Sequence, residues 1–305
     1  MLNSLHGSAL RYFLAVARAG SLTAASETLH IAISAISRQI TKLEMELGLP
    51  LFERQARGMI VTEAGRKLLV YATRSLLEAD QVTRDIQELD DLKTGTIRLA
   101  TAQGFSDGLV PATIANFSNE YPGLRFELFV GSPLMVSQSV RDGEADIGLT
   151  YSITATPGVK AAHAELASIY VLMNKNDPLA SNKSISVIDV IGRKMVLPAS
   201  GTTLRDLLET RVAASGSAFR HVILESNNLS VIYRVAQRTG ALMFTAMVSV
   251  NDQYKDEGMV AVALSDKEFT QRSIQIQTMA GRVLPTAVSR FRDYLTAALR
   301  DAVKP

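Results

Sequence analysis

Apolar side chains recur three and four positions apart through the first part of the chain. The rhythm then changes to short apolar runs separated by helical stretches. In "IAISAISRQITKLE" (31–44), Ile33, Ile36, Ile40 and Leu43, continued by Leu47, fall on one side of a helical wheel. Ser34, Arg38, Thr41 and Lys42 fall on the other side. Leu10, Phe13, Leu14 and Ala17 predict an earlier helix that Gly20 stops. Ser21 is placed to cap a second helix, "LTAASETLH", burying Leu22, Ala25 and Leu29. The third helix ends at Gly48, ahead of Pro50. "LFERQARGMIVT" then has the length and the central Gly58 of a small hairpin. Three helices and a two-stranded wing make a winged helix-turn-helix over residues 1–62.

Residues 63–92 predict one long helix. Leu68, Ala72, Ser75, Ala79, Val82, Ile86 and Leu89 alternate spacings of four and three, a heptad seam whose small middle permits close helix approach. The seam predicts self-pairing, and a glutamate at Ile86 should give monomers; packing of the helix on its own domain is the competing reading. Gly95 in "KTGT" is the expected left-handed residue at the helix end. From 96 onward strands and helices alternate, beginning "TIRLAT", "RFELFV" and "ADIGLTY", then "IYVLMN", "KMVLPA", "HVILES", "ALMFTA" and "SIQIQTM". Repeated βαβ units predict parallel sheets with helices on both faces. The expected fold is α/β with a helical, winged N-terminal domain, a linker helix, and a two-lobed domain over 93–305. Crossovers near 166 and 270 would place lobe I at about 93–166 and 270–305, and lobe II at about 167–269.

Composition narrows the chemistry. The formal charge of +2 says little, so the distribution of charge matters more than its sum. The chain contains no cysteine, which removes disulfides, thiolate metal sites and a cysteine nucleophile. The N-terminus lacks the pattern of a signal peptide, and no run is long and apolar enough for a membrane span, so a cytoplasmic protein is expected. Phosphate-loop, dinucleotide-binding, serine-hydrolase and zinc-protease patterns are absent. His6, His30, His163 and His221 lie far apart in sequence. No catalytic residue, metal or cofactor is expected.

"GSLTAASETLH", "SRQITKLEMELGLPLFER" and "VTEAG", in that order and spacing, closely resemble the N-terminal domain of LysR-type transcriptional regulators. "YPGLRFEL" and "VRDGEADIGL" resemble phrases of that family's first effector lobe. The resemblance covers essentially the whole chain. It implies a homotetrameric DNA-binding regulator with a co-inducer domain similar to periplasmic solute-binding proteins. There are departures. Ala32 stands where the family usually places a serine or threonine to open the recognition helix, and Ile33 stands where a base-reading glutamine is common. Ile33 can meet a thymine methyl or join the core stripe, and its wheel position favours the core. Thr245 and Ala246 end a strand that often carries proline in the family.

The mechanics agree with the resemblance. A helix entering a major groove about 12 Å wide needs a slim outer face with long donors. Ser34 and Thr41 keep the face slim, and Arg38 and Lys42 supply donors. The candidate DNA-contacting set is Thr23, Ile33, Ser34, Ser37, Arg38, Thr41, Lys42, Arg54 and Arg57, with the two wing arginines assigned to backbone contacts. His30 at the turn is expected to pack locally. Ligands of open α/β sheets bind beyond the carboxyl ends of the strands, where helix N-termini favour anions. That rule, and the family's matching positions, select Gln103, Phe105, Ser132, Ser200, Thr202, Thr203 and Asn227 for a small effector, with a carboxylate in view. These hydroxyls could equally be plain helix caps. The implied partners are a double-stranded operator, a small organic acid and further copies of the chain. The competing classes are a solute-binding protein and an α/β enzyme with an appended helical domain.

Overall fold

The computed structural model describes residues 7–55, 58–87, 94–250, 253–267, 269 and 272–303. The chain divides into two compact units, Met1–Leu89 and Asp90–Pro305.

The first unit holds α1 (Ser8–Ala19), α2 (Leu22–Leu29), α3 (Ile33–Leu47), β1 (Phe52–Gln55), β2 (Gly58–Val61) and α4 (Glu63–Gln87). Phe13, Ala25, Ile36, Ile40 and Leu43 are buried together, so the helical period of the sequence becomes a core. Burying a leucine, isoleucine or phenylalanine contributes roughly 1.5–3 kcal/mol each. Ser21 caps α2, its Oγ accepting from Ala24 N at 3.0 Å. The wing is held from both sides. Glu44 Oε1 accepts from Leu51 N at 2.8 Å and Phe52 N at 3.3 Å. Met59 N donates to Gly20 O at 2.7 Å. A Cβ on Gly58 would lie 2.4 Å from that same oxygen, so only glycine lets the wing come this close. The "VTEAG" phrase has a similar cause. Thr62 Oγ1 accepts from Gly65 N at 3.0 Å and donates to Pro50 O at 2.8 Å. A Cβ on Gly65 would meet Leu51 O at 2.3 Å.

The expected heptad seam divides in two. Leu68 and Ala72 are buried in the winged core, so the first part of α4 packs on its own domain. Ser75 is half-buried, whereas Ala79 and Val82 are exposed. The side chain of Ile86, and Leu89, lie outside the described residues. His30 does not pack locally; it is exposed and ends α2 with φ at 54°.

The second unit contains two sheets. Lobe I has β3 (Gly95–Ala102), α5 (Leu109–Glu120), β4 (Leu124–Gly131), α6 (Pro133–Arg141), β5 (Ile147–Ser152) and β6 (Val159–Leu166). Lobe II follows with β7 (Tyr170–Asn174), β8 (Ser184–Ile185), β9 (Lys194–Pro198), α7 (Thr203–Ala214), β10 (His221–Ser226), α8 (Leu229–Thr239), β11 (Leu242–Thr245), α9 (Gln253–Asp256) and β12 (Met259–Leu264). The chain returns to lobe I with β13 (Ser273–Met279) and α10 (Thr286–Ala302). The strand orders are β4-β3-β5-β13-β6 and β10-β9-β11-β7-β12-β8. Gly95 has a positive φ but opens β3 instead of closing a described helix.

The sheets are mixed, not parallel throughout. β13 runs antiparallel to β5 and β6, and β7 antiparallel to β11 and β12. The reason is connectivity. A parallel neighbour needs a helical crossover, whereas β7 and β13 are entered directly from the opposite lobe. The two connections meet, with Ala167 N donating to Arg272 O at 3.0 Å. Inside lobe I, Asp146 joins three segments. Its carboxylate accepts from Arg98 N at 3.0 Å and Arg98 Nη2 at 2.9 Å, and lies 2.9 Å from Arg282 Nη1.

Candidate functional site

The outer face of α3 is open. Ile36, Ile40 and Leu43 anchor the helix, and Ser34, Arg38, Thr41 and Lys42 are exposed. Lys42 lies 4.0 Å from Glu46, a loose pair one turn apart. Among the described residues nothing pairs with Arg38, so its five donors remain free for a partner. Ser37 is half-buried, and Thr23 and Arg54 are exposed. Arg57 lies outside the described residues. Ile33 departs from the stripe it was expected to join: it is 43% exposed. It is the first residue of α3, ahead of the turn that packs on α1, so no core reaches it. Ala32 leaves that helix start without a side-chain cap, and Ser34 does not substitute.

The second candidate site lies between the lobes. Ala102 pairs with Gly131, so Gln103 and Ser132 leave the lobe I sheet side by side. Pro198 pairs with Ser226, and Ser200 and Asn227 follow just beyond these strand ends in lobe II. Gln103, Ser132, Thr202 and Thr203 are half-buried, and Ser200 and Asn227 are exposed. Two of the hydroxyls already cap helices. Ser132 accepts from Met135 N at 3.3 Å. Thr202 accepts from Arg205 N at 3.2 Å and donates to Ala199 O at 3.1 Å, so its proton is spent internally. The cap of α8 is Asn228, not Asn227. Phe105 cannot pack on a ligand as expected. It is fully buried in the lobe I core, stacked on Tyr151 with ring centroids 4.6 Å apart. The short turn Gln103–Phe105 rolls its ring inward beneath the sheet.

The lobes touch through residues that the sequence pattern did not single out. Tyr151 Oη is hydrogen-bonded to Ser249 Oγ, and Ser230 Oγ donates to Asp107. Arg272, where the chain re-enters lobe I, places its guanidinium carbon 3.6 Å from the Tyr151 ring centroid. Its Nε donates to Thr203 Oγ1, the first residue of α7, at 3.3 Å. Burial pushes the Arg272 guanidinium down to about 10, against a small opposing pull from Tyr151. Burial also pushes the Tyr151 phenol up, opposed by Arg272 and Ser249. Tyr151 lies within β5 and Arg272 immediately precedes β13, two strands that pair where the lobes join.

A winged helix-turn-helix with an open basic helix, followed by two joined α/β lobes, defines a DNA-binding regulator with an effector domain. Residues 8–66 match the family described as bacterial regulatory helix-turn-helix protein, lysR family, and residues 90–300 match the LysR substrate binding domain. The chain belongs to the LysR family: it is a DNA-binding transcriptional regulator with an effector-binding domain, and not an enzyme. Among its relatives is the transcriptional dual regulator GltC of Bacillus subtilis, 33% identical over 199 residues, covering 65% of this chain and 66% of that one. The regulator YybE of the same organism is 26% identical over 291 residues, covering 94% and 96%. Full-length OxyR from Pseudomonas aeruginosa superposes with a TM-score of 0.67 at 19% identity, covering 97% and 95%. CbnR bound to its target DNA superposes with a TM-score of 0.53 at 18% identity, covering 95% and 98%. Among the described residues no cluster of metal-ligating side chains occurs, and no helix is long and apolar enough to cross a membrane.

Proposed function

We propose that the chain works in the cytoplasm as a homo-oligomer that lays α3 in the major groove of a double-stranded operator. A small organic acid between the lobes alters its operator binding or the bend it imposes. The observation that carries the reading is Arg38, exposed and unpaired among the described residues, between Ser34 and Thr41 on a helix whose other side is fixed in a core. Arg38 reads base edges in this scheme, and Arg54 and Arg57 hold the backbone. One module reads a short half-site, so tight binding needs two modules at fixed spacing, joined through α4. The exposed Val82 supports that pairing. Assembly to a tetramer is supported by β4, an edge strand of lobe I that exposes Leu128, Phe129 and Val130. Unpaired apolar edges invite a second copy.

The test is a titration of wild type, Arg38→Ala and Arg54→Ala against operator and scrambled duplexes at several salt concentrations. Arg38→Ala should lose about 1–3 kcal/mol on the operator and much less on the scrambled duplex. Arg54→Ala should weaken both equally and reduce the salt slope by about one. Equal losses on both duplexes for Arg38→Ala would remove its base-reading role.

A further inference from the structure

Three arginines of the described chain are buried: Arg205, Arg272 and Arg282. Two of them have carboxylates. Arg205 Nε donates to Glu209 at 2.6 Å and its Nη2 to Glu225 at 2.9 Å. Arg282 Nη1 lies 2.9 Å from Asp146. Arg272, only 4% exposed, has none among the described residues. Its surroundings are the Tyr151 ring and the Thr203 hydroxyl, and Nη1 is buried with no hydrogen-bond partner. A guanidinium carries five donors and stays charged in proteins. An uncompensated buried cation is costly to a fold unless something else supplies the counter-charge.

We infer that Arg272 is the anion-holding residue of the inter-lobe cleft, its guanidinium and the amino end of α7 together taking the negatively charged group of a small ligand. The inference rests on reading that cleft as the effector site. Two independent features converge there. α7 is a twelve-residue helix whose positive end begins at Thr203, the residue that Arg272 touches. Nη1 of the same guanidinium is a buried donor without a hydrogen-bond partner. The planar fork suits a carboxylate or another oxyanion, with two parallel hydrogen bonds. Neutral metabolites leave the charge unmatched and are selected against. Position adds a consequence. Arg272 O accepts from Ala167 N across the two lobe connections, so an anion held here is anchored where the lobes join and reaches lobe II through α7.

The experiment is thermal unfolding of the full chain in acetate and in sulfate, against chloride at equal ionic strength. Exclusion of such salts from the surface raises the midpoint steadily in every variant, whereas site binding adds a part that saturates. Wild type should show the saturable rise with at least one of the two anions. Arg272→Gln should lose it, while folding as well as wild type in chloride because a buried unpaired charge has gone. Arg272→Lys keeps the charge without the fork and should need roughly tenfold more anion for half the effect. Arg238→Gln removes an exposed charge from α8 and should respond as wild type does. A wild type that answers neither anion overturns the inference and leaves the cleft reading standing. A rise that survives Arg272→Gln but disappears in Thr203→Val overturns Arg272 as the holder only. A rise that survives both places the anion elsewhere on the chain, which overturns the inference and leaves the cleft reading standing.

Discussion

Asp146 holds two cations at once, so removing it strands one of them. Arg98 is partly solvated, but the Arg282 side chain is only 1% exposed. Burial pushes the Asp146 carboxyl up; the hydrogen bonds and charge of Arg98, with the charge of Arg282, outweigh it and hold the group below its usual range. A depressed carboxylate contributes stability above its unfolded value, near 4, and loses it as pH falls through the lower folded value. Asp146→Asn should therefore cost about 3–5 kcal/mol at neutral pH by chemical denaturation. The gap from wild type should narrow only below about pH 4. A constant gap down to strongly acidic pH would exclude this origin. Arg38 could be placed by helical period alone, because period decides which face a core takes. Ile33 and Phe105 could not. One is the first residue of its helix and lies off the core, and the other is turned inward by a short turn, and neither event has a periodic signature.

The opening of α3 is a weak helix start that the domain tolerates. Ala32 has extended ψ, at 136°, but no side-chain oxygen to meet the free N–H groups of the first turn. Ala32→Ser should add about 1 kcal/mol to the stability of the chain, read as a rise in the denaturation midpoint of the first transition. Ala32 is exposed, so the serine has room, and Ile36 and Ile40 continue to fix the helix axis. No gain would mean that the N-terminus is already satisfied in another way. Helices were visible in the sequence because their amphipathic period is long and their caps are chemical: Ser21, Gly20 and Gly48 mark ends that the backbone obeys. Strands were less visible. β6 is an edge strand of exposed and half-buried residues with none fully buried, so it lacks the apolar run that announces a buried strand. The direction of β7 and β13 depends on which lobe the chain comes from, a long-range fact that no local window contains.

Two exposed apolar surfaces, one on α4 and one on β4, are where the proposed assembly can be tested. On α4 the seam changes role along its length: Leu68 and Ala72 serve the winged core, whereas Val82 is 57% exposed. A heptad pattern in sequence cannot announce that division, because intramolecular and intermolecular packing obey the same spacing. On lobe I, β4 is an edge strand with Phe129 41% exposed. If α4 makes the dimer and β4 joins dimers, the two surfaces can be broken separately. Val82→Glu places a charge in the helix seam and should release the pairing of DNA modules. Light scattering should then report a smaller particle, and operator affinity should fall because half-sites are no longer read together. Phe129→Glu blocks the edge with a charge, a device natural sheets use against pairing. It should reduce tetramers to dimers that still bind a single operator, with a shortened footprint. The order of the effects is the informative part. A Phe129→Glu chain that becomes monomeric while Val82→Glu keeps its full assembly would reverse the roles of the two surfaces, and the spacing of DNA modules would then be set by the effector lobes instead of the helix.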